Sequence, residues 1–166
     1  MSKAGRTSAG ILLWRRRSGR IEVLLGHPGS PYFAGKDEDH WTVLKGELEP
    51  GEEPEAVARR EFEEETGHRL DDDVRLVDLG DIRQKSGKVV LAWGAEGELD
   101  PATAVSNTFE MEWPPRSGQI QEFPEIDRVE WFGFATARVK IKAAQARFLD
   151  RLETAVGDGS AARTEA

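Results

Sequence analysis

The chain of 166 residues contains no cysteine. This absence excludes a disulfide scaffold, a thiolate nucleophile and a cysteine-ligated zinc or iron–sulfur site. No run approaches the roughly 20 apolar residues that a membrane-spanning helix requires, and the first residues, MSKAGRTS, include no apolar stretch typical of a signal peptide. We therefore expect a cytoplasmic protein that does not engage a membrane.

Positive charge is scarce, because 23 Lys and Arg residues face 31 Asp and Glu residues, which gives a net charge of −8. This balance argues against general nucleic-acid binding. An acidic protein that binds a polyanion needs a few placed basic side chains or bound divalent cations. The length favours one domain, which we place at residues 1–156, with a disordered tail from Gly157 onward, in a monomer or homodimer.

Branched aliphatic segments separated by turn residues predict several strands. Six strands are expected, of which the first two form a hairpin: Ser8–Trp14, Ile21–Gly26, Trp41–Leu44, Val74–Leu79, Lys88–Trp93 and Arg128–Phe132. Residues 27–39 and 113–124 are rich in proline and glycine and are expected to be loops, the second of them a candidate wall of a site. Apolar residues at steps of three and four predict a closing helix over Ala137–Ala155.

The segment from Glu52 to Gly67 has a helical pattern, with Pro54 suited to its first turn and Gly67 to the position after its end. Glu61, Glu64 and Glu65 stand at i, i+3 and i+4 and so share one helix face. A divalent cation such as Mg²⁺ would offset their repulsion, because hard cations bind carboxylate oxygens. A solvated face with internal salt bridges explains the same spacing, so the spacing alone leaves both interpretations open.

A longer pattern surrounds this helix: Gly46, five residues, Glu52, seven residues, then the run REFEEETG from Arg60 to Gly67. It resembles the Nudix box, and every fixed Gly, Glu and Arg of that box is present. Phe62 and His68 stand where the box has aliphatic residues. These two departures affect local packing and not the carboxylates. The resemblance implies an α/β (α+β) fold, the α/β/α sandwich with a mixed β-sheet, and hydrolysis of a phosphoanhydride bond.

By the same resemblance, Glu61, Glu64 and Glu65 are expected to bind Mg²⁺ or Mn²⁺, with the carbonyl of Gly46 as a further contact. Glu64 is also a candidate catalytic base. The resemblance further implies that Arg60 and Glu52 form a salt bridge that orients the helix and its ligands.

The segment from His40 to Gly46, HWTVLKG, leads into the box. It is similar to the HWTPPKG segment of asymmetric dinucleoside tetraphosphate hydrolases. This resemblance makes Lys45 the expected phosphate contact and His40 a candidate substrate contact. Glu125 matches a further glutamate that family members carry before the last strand. Tyr32 is a candidate for stacking on a nucleobase, as are Phe33 and Trp113.

The expected substrate is a small nucleotide, and the first hypothesis is a dinucleoside polyphosphate such as diadenosine tetraphosphate (Ap4A), cleaved to ATP and AMP. A nucleoside triphosphate pyrophosphohydrolase is the alternative enzyme. A Nudix-fold ligand sensor is the alternative without catalysis. The intact carboxylates favour an enzyme, and no basic helix-turn-helix segment is evident in the sequence.

Overall fold

Two long antiparallel strands form the centre of the fold in the computed structural model, which describes residues 6–157. They are β1 (Thr7–Arg17) and β2 (Arg20–Pro28). Ser18 and Gly19, with φ angles of 55° and 78°, form the tight turn between them, as hairpins with a right-handed twist favour. The predicted hairpin is confirmed, with strands longer than expected. The expected tail lies outside the described residues except for Gly157, which ends a short π-helix.

Four further strands join β1 and β2 in one mixed sheet: β3 (Leu44–Glu47), β4 (Leu76–Arg83), β5 (Val89–Glu96) and β8 (Ile126–Gly133). Their order is β4-β5-β1-β2-β8, with β3 paired to β1. The β1–β5 pair is parallel and the other pairs are antiparallel. The strand expected at Trp41–Leu44 is wrong in its bounds, because Trp41 and Thr42 form only isolated bridges before β3 begins.

Helices cover both faces of this sheet, so β1 is buried on both sides. Ile11 and Leu13 pack with the helix α1 (Pro54–Thr66), whereas Leu12 and Trp14 pack beneath α2 (Phe134–Lys140) and α3 (Ala146–Leu152). Successive residues of a strand point to opposite faces, so the alternation assigns one set to each layer. The expected α/β/α architecture with a mixed sheet is confirmed. Within residues 6–157, no helix is long and apolar enough to span a membrane.

The helix α1 begins and ends where the sequence predicts. Pro54 occupies the first turn, and Gly67 adopts a left-handed φ of 77° while its N–H donates to the Glu63 carbonyl at 2.7 Å. Val57 and Phe62 are buried against the sheet. This packing fixes the rotation of the helix and directs its glutamate face toward β3.

The helix expected over Ala137–Ala155 is wrong as a single element. Its backbone leaves the helix at Ile141, which forms a parallel bridge with Trp41, and the Lys142 N–H donates to the Trp41 carbonyl at 2.9 Å. A short 3-10 turn then leads into α3. The apolar side chains that motivated the prediction are nevertheless buried or partly buried.

The loop expected at residues 113–124 is wrong in its second half. Residues Ile120–Pro124 form β7, which pairs with β6 (Thr108–Glu112) in a separate two-stranded hairpin. Two of the three prolines, Pro114 and Pro115, lie in the connecting turn, and Pro124 ends β7. Proline removes a backbone donor, so these positions are the ones at which a strand pair tolerates it.

Candidate active site

The carboxylate face of α1 lies against β3 at Gly46. A methyl group at Gly46 would come within 2.1 Å of the Glu61 carboxyl carbon. No side chain can occupy that space, so the glycine is what lets the Glu61 carboxylate approach the β3 backbone. Two local elements, a capped helix and a strand paired to β1, therefore build the centre of the site.

A cleft of about 360 Å³ opens beside this contact. It collects residues from α1, β1, β3 and three connecting segments: Ser8, Lys45, Gly46, Glu47, Glu61, Glu64, Glu65, Lys88, Asn107 and Glu125. Six of the residues predicted from the sequence are among them. The structure thus brings the box carboxylates together with Lys45 and Glu125, although those two lie at opposite sides of the box in sequence.

Glu65 is the most buried of the carboxylates, at 6% exposure, and its Oε1 atom has no hydrogen-bond partner. Burial, followed by the nearby negative charge of Glu61, raises the pKa of Glu65 to about 9, against a lowering by Lys45. Burial and repulsion from Glu64 also raise the pKa of Glu61. Desolvation and like charge both disfavour the ionised form. Arg60 near Glu61 and Lys45 near Glu65 therefore offset only part of the cost of ionising these carboxylates.

Arg60 adjoins the carboxylates from the exposed side of α1. Its Nη1 atom donates to Glu52 Oε2 at 2.7 Å, and its other nitrogens lie 3.6 Å from Glu61 and 3.7 Å from Glu64. The expected Arg60–Glu52 salt bridge is present. The Arg60 hydrogen bond lowers the pKa of Glu52, which also accepts the Glu49 N–H at 2.8 Å. Arg60 thereby links the loop before α1 to the carboxylate face.

A divalent cation fits this donor set. Within residues 6–157, no three acidic or histidine side chains already converge in a metal-ligand arrangement, and Glu61 and Glu64 turn toward Arg60. The Oε1 atom of Glu65, which has no hydrogen-bond partner, and the Glu61 carboxylate beside Gly46 are nevertheless oxygen ligands that a hard cation would use. Ligation would require rotation of glutamate side chains, which an exposed helix face permits for Glu64.

Lys45 approaches the cleft from β3, where it pairs with Gly10 of β1. A methyl group at Gly10 would lie 2.6 Å from the Lys45 Cβ and 2.4 Å from the Leu44 carbonyl oxygen. The absence of a side chain at Gly10 therefore lets β3 pair closely there. Burial, then repulsion from Lys142, lowers the pKa of Lys45, while Glu65 raises it.

Glu125 is fixed by backbone hydrogen bonds rather than by its own side chain. Its N–H donates to the Asn107 carbonyl at 2.9 Å, and its carbonyl accepts the Gly29 N–H at 3.0 Å. The Asn107 N–H in turn donates to the Glu64 carbonyl at 2.8 Å. These bonds tie Glu125 to the end of α1 that carries the box glutamates. Burial raises the pKa of Glu125 despite the opposing charge of Lys45.

Two predicted substrate contacts lie outside this cleft. Tyr32, 56% exposed, packs edge to face on Trp113 with ring centroids 4.9 Å apart. His40 packs against Phe33 at 5.8 Å, and its Nδ1 donates to the Glu38 carbonyl at 2.9 Å. These contacts form a separate aromatic edge made by the loop after β2 and the end of the β6–β7 hairpin.

Sequence reasoning missed four residues that line the cleft: Ser8, Glu47, Lys88 and Asn107. Lys88 pairs with Glu47 at 3.2 Å. Each of the four enters the cleft through pairing of distant strands or loops. A single lysine or asparagine at the end of a strand carries no local signal that would have identified it.

A family model described as the NUDIX domain matches residues 5–152. Among solved structures, an Ap4A hydrolase from C. elegans in a binary complex is similar with a TM-score of 0.64 and 20% identity, covering 91% of this chain and 98% of that one. A mutT/nudix family protein from Listeria innocua gives a TM-score of 0.61 and 17% identity, covering 93% and 96%. At these identities the likeness concerns the fold.

A curated relative named octanoyltransferase, from Myxococcus xanthus, is 39% identical over 97 residues. The match covers 58% of this chain and 24% of the relative. The chain thus spans about a quarter of the length of that protein.

Proposed function

This chain belongs to the NUDIX family, and from that membership we propose that it hydrolyses a phosphoanhydride bond in a nucleotide-linked substrate with the help of Mg²⁺ or Mn²⁺. The observation that carries the proposal is the meeting of the α1 glutamates, Gly46 and Lys45 in one cleft. In particular, the buried oxygen of Glu65 has no partner of its own. A structural role for a solvated helix face would leave such an oxygen unexplained.

A divalent cation bound there would neutralise phosphate oxygens and lower the pKa of a coordinated water. Glu61, Glu64 and Glu65 would hold the cation, with the Gly46 carbonyl as a further contact. Arg60 holds the carboxylates of Glu61 and Glu64 near its guanidinium group through contacts at 3.6 and 3.7 Å.

The other residues of the cleft act on the substrate. Lys45 donates hydrogen bonds to a phosphate oxygen and supplies positive charge where the protein is otherwise acidic. Glu64, the most exposed of these three carboxylates, is the base that accepts the proton of the attacking water when it does not ligate the cation directly. Glu125, held next to the end of α1, is a second carboxylate within the same cleft.

The substrate we favour is a dinucleoside polyphosphate such as Ap4A, cleaved to ATP and AMP. The sequence around Lys45 supports this choice, and the similar fold of the C. elegans Ap4A hydrolase agrees with it. The exposed Tyr32–Trp113 edge offers aromatic surface for a nucleobase. A nucleoside triphosphate that yields a monophosphate and pyrophosphate is the second candidate, because Lys45 and the carboxylates serve either phosphate chain.

The test is product release in Mg²⁺ from a panel of dinucleoside polyphosphates, nucleoside triphosphates and nucleotide sugars, with each product identified by chromatography. ATP plus AMP from Ap4A is the expected result. Monophosphate plus pyrophosphate from a triphosphate would instead establish the second candidate. Tight binding of a panel member without turnover would contradict the enzyme and favour a ligand sensor.

Variants of α1 separate catalysis from charge alone. Glu64→Gln and Glu65→Gln are expected to lower turnover by about two orders of magnitude or more, since each removes a group acting on the reaction. Glu63→Gln is the matched control, because Glu63 is exposed, lies on the same helix and does not line the cleft. Equal activity of all three variants would refute the assignment of the site.

A further inference from the structure

Glu125 is the single residue between β7 and β8, which belong to different sheets. Its side chain lines the cleft, yet its carboxylate makes no hydrogen bond and no ion pair within residues 6–157. No contact of the carboxylate itself therefore sets its direction. The direction depends on how the Glu125 backbone is held at this junction.

Two loops hold the Glu125 backbone. The Gly29 N–H donates to the Glu125 carbonyl at 3.0 Å, and the Glu125 N–H donates to the Asn107 carbonyl at 2.9 Å. A methyl group at Gly29 would collide with the Pro124 carbonyl oxygen, so glycine is what allows the close approach on that side. On the other side, the position of Glu125 depends on the segment that carries Asn107.

A serine hydroxyl group closes that second side. Ser106 Oγ accepts the Ile126 N–H at 3.1 Å and donates to the Asn107 carbonyl at 2.8 Å. The Asn107 carbonyl is the same group that accepts the Glu125 N–H. One hydroxyl group thus joins the acceptor of Glu125 to the residue that follows Glu125 in the chain. Ile126 is buried, so its N–H needs this partner.

The segment that carries Ser106 is anchored to the last turn of α1. The Asn107 N–H donates to the Glu64 carbonyl at 2.8 Å, and the Val105 N–H donates to the Thr66 carbonyl at 2.9 Å. Carbonyls of a last helical turn have no partner within the helix, so these bonds satisfy groups that need one. The Val105 side chain is 70% exposed, so polar bonds and not apolar packing hold the segment. Its position is therefore set by the helix that carries the box glutamates.

We infer that Ser106 is a positioning residue, whose hydroxyl group fixes the backbone at Glu125 and so holds the Glu125 carboxylate in the cleft beside the box glutamates. The inference rests on the proposed function, in which Glu125 acts within that cleft. A hydroxyl group is suited to this task because it accepts one hydrogen bond and donates another at the same time. Alanine at this position would leave the buried Ile126 N–H without an acceptor and would loosen the junction.

The catalytic test is a double-mutant cycle of Ser106→Ala and Glu125→Gln in Mg²⁺, measured on Ap4A or, if Ap4A is not cleaved, on the panel member that is. Ser106→Ala should lower kcat about tenfold and change KM less than about threefold, because a misplaced reacting group affects the reaction more than binding. Glu125→Gln should lower kcat by at least as much. In that background, Ser106→Ala should change kcat less than about twofold, since the group that it positions is already lost.

A second readout needs no turnover. Amide hydrogen exchange, followed by NMR on the full chain without substrate, reports whether the junction is held. Ser106→Ala should raise the exchange rate of the Ile126 N–H about tenfold, as expected for the loss of one hydrogen bond, while the amides of β1 stay unchanged. Ser106→Thr keeps the hydroxyl group and should retain the parental exchange and the parental kcat within about threefold.

Ser117→Ala is the matched control. Ser117 Oγ accepts the Gln119 N–H at 3.1 Å in the turn of the β6–β7 hairpin, so this variant removes a similar bond outside the cleft. It should change neither kcat nor the exchange of the Ile126 N–H.

Equal losses of kcat from Ser106→Ala in both backgrounds, no loss in either, or a failure of Ser106→Thr to retain activity would each overturn the inference. If no member of the panel is hydrolysed, the proposed function fails, and exchange alone then decides whether Ser106 holds Glu125. Parental exchange of the Ile126 N–H in Ser106→Ala would overturn the inference, and faster exchange would support it.

Discussion

Replacing Glu65 with glutamine is predicted to change the pH dependence of stability in the metal-free protein. The folded protein retains a proton on this buried acid up to a pKa of about 9, whereas the unfolded chain releases it near the ordinary value of 4.5. The unfolded state therefore binds fewer protons between those values. The free energy of unfolding must fall as the pH rises through that window.

The size follows from the width of the window. One pKa unit corresponds to about 1.36 kcal/mol, and the folded protein holds almost a full extra proton from about pH 5 to about pH 8. Glu65 should thus cost the metal-free protein about 4 kcal/mol over that range. Glutamine has nearly the same shape and no ionisation, so the variant lacks this contribution.

The assay is urea unfolding in a chelator at about pH 5 and about pH 8, for the parent and for Glu65→Gln. The difference between the two proteins isolates Glu65 from the other titrating groups, Glu61 and Lys45 included. At the higher pH, Mg²⁺ should restore parental stability by about 2.7 kcal/mol when present at a hundred times its Kd, and should stabilise the variant less.

Identical pH dependence of the two proteins in chelator would refute the reasoning. It would mean that Glu65 ionises without penalty in the folded state, and that its buried oxygen is solvated. Glu65 would then need no cation in order to ionise. A Mg²⁺ effect of equal size on both proteins would contradict the assignment of Glu65 as a ligand.

Three further predictions concern residues around the carboxylates. Gly46→Ala places a methyl group against the Glu61 carboxylate, so kcat/KM should fall about a hundredfold while the melting temperature changes little; unchanged kcat/KM would show that this contact is dispensable. Gln145→Leu leaves buried partners unsatisfied and should lower the free energy of unfolding by about 1–3 kcal/mol in urea titrations; a smaller loss would mean that water replaces the amide. Arg60→Gln breaks the exposed pair with Glu52, so Mg²⁺ affinity should fall about 10–100-fold at a stability cost below about 1 kcal/mol; unaltered affinity would limit Arg60 to a surface role.

The parts of the molecule that the sequence predicts well are those whose determinants are local. The bounds of α1 follow from Pro54 and Gly67, and its glutamate face follows from helical spacing. The β1–β2 hairpin follows from aliphatic strands around a turn. In each case the residues that decide the structure lie within one element, so no knowledge of distant partners is required.

The parts that the sequence predicts poorly depend on partners far along the chain. The helix break at Ile141 requires Trp41, one hundred residues earlier, to pair with its backbone. The strand β7 requires β6. Lys88 and Asn107 enter the cleft only because β5 joins β1 and because the Asn107 N–H bonds to the end of α1. Periodicity within a window contains no information on such pairings.

The distribution of charge in the cleft links the proposed cation site to the proposed phosphate site. Glu65 has a buried oxygen without a partner, and Lys45, which lines the same cleft, forms no ion pair within 4.0 Å among the described residues, so this acid and this base do not neutralise each other. Mutual pairing would stabilise the empty protein and would occupy both the cation site and the phosphate site. Keeping the groups apart costs stability before ligands bind. Functional sites are where such departures from the rules of protein stability are expected. The same separation would allow an acidic protein to bind a polyanion, with cations covering the carboxylates and Lys45 contacting the phosphate chain.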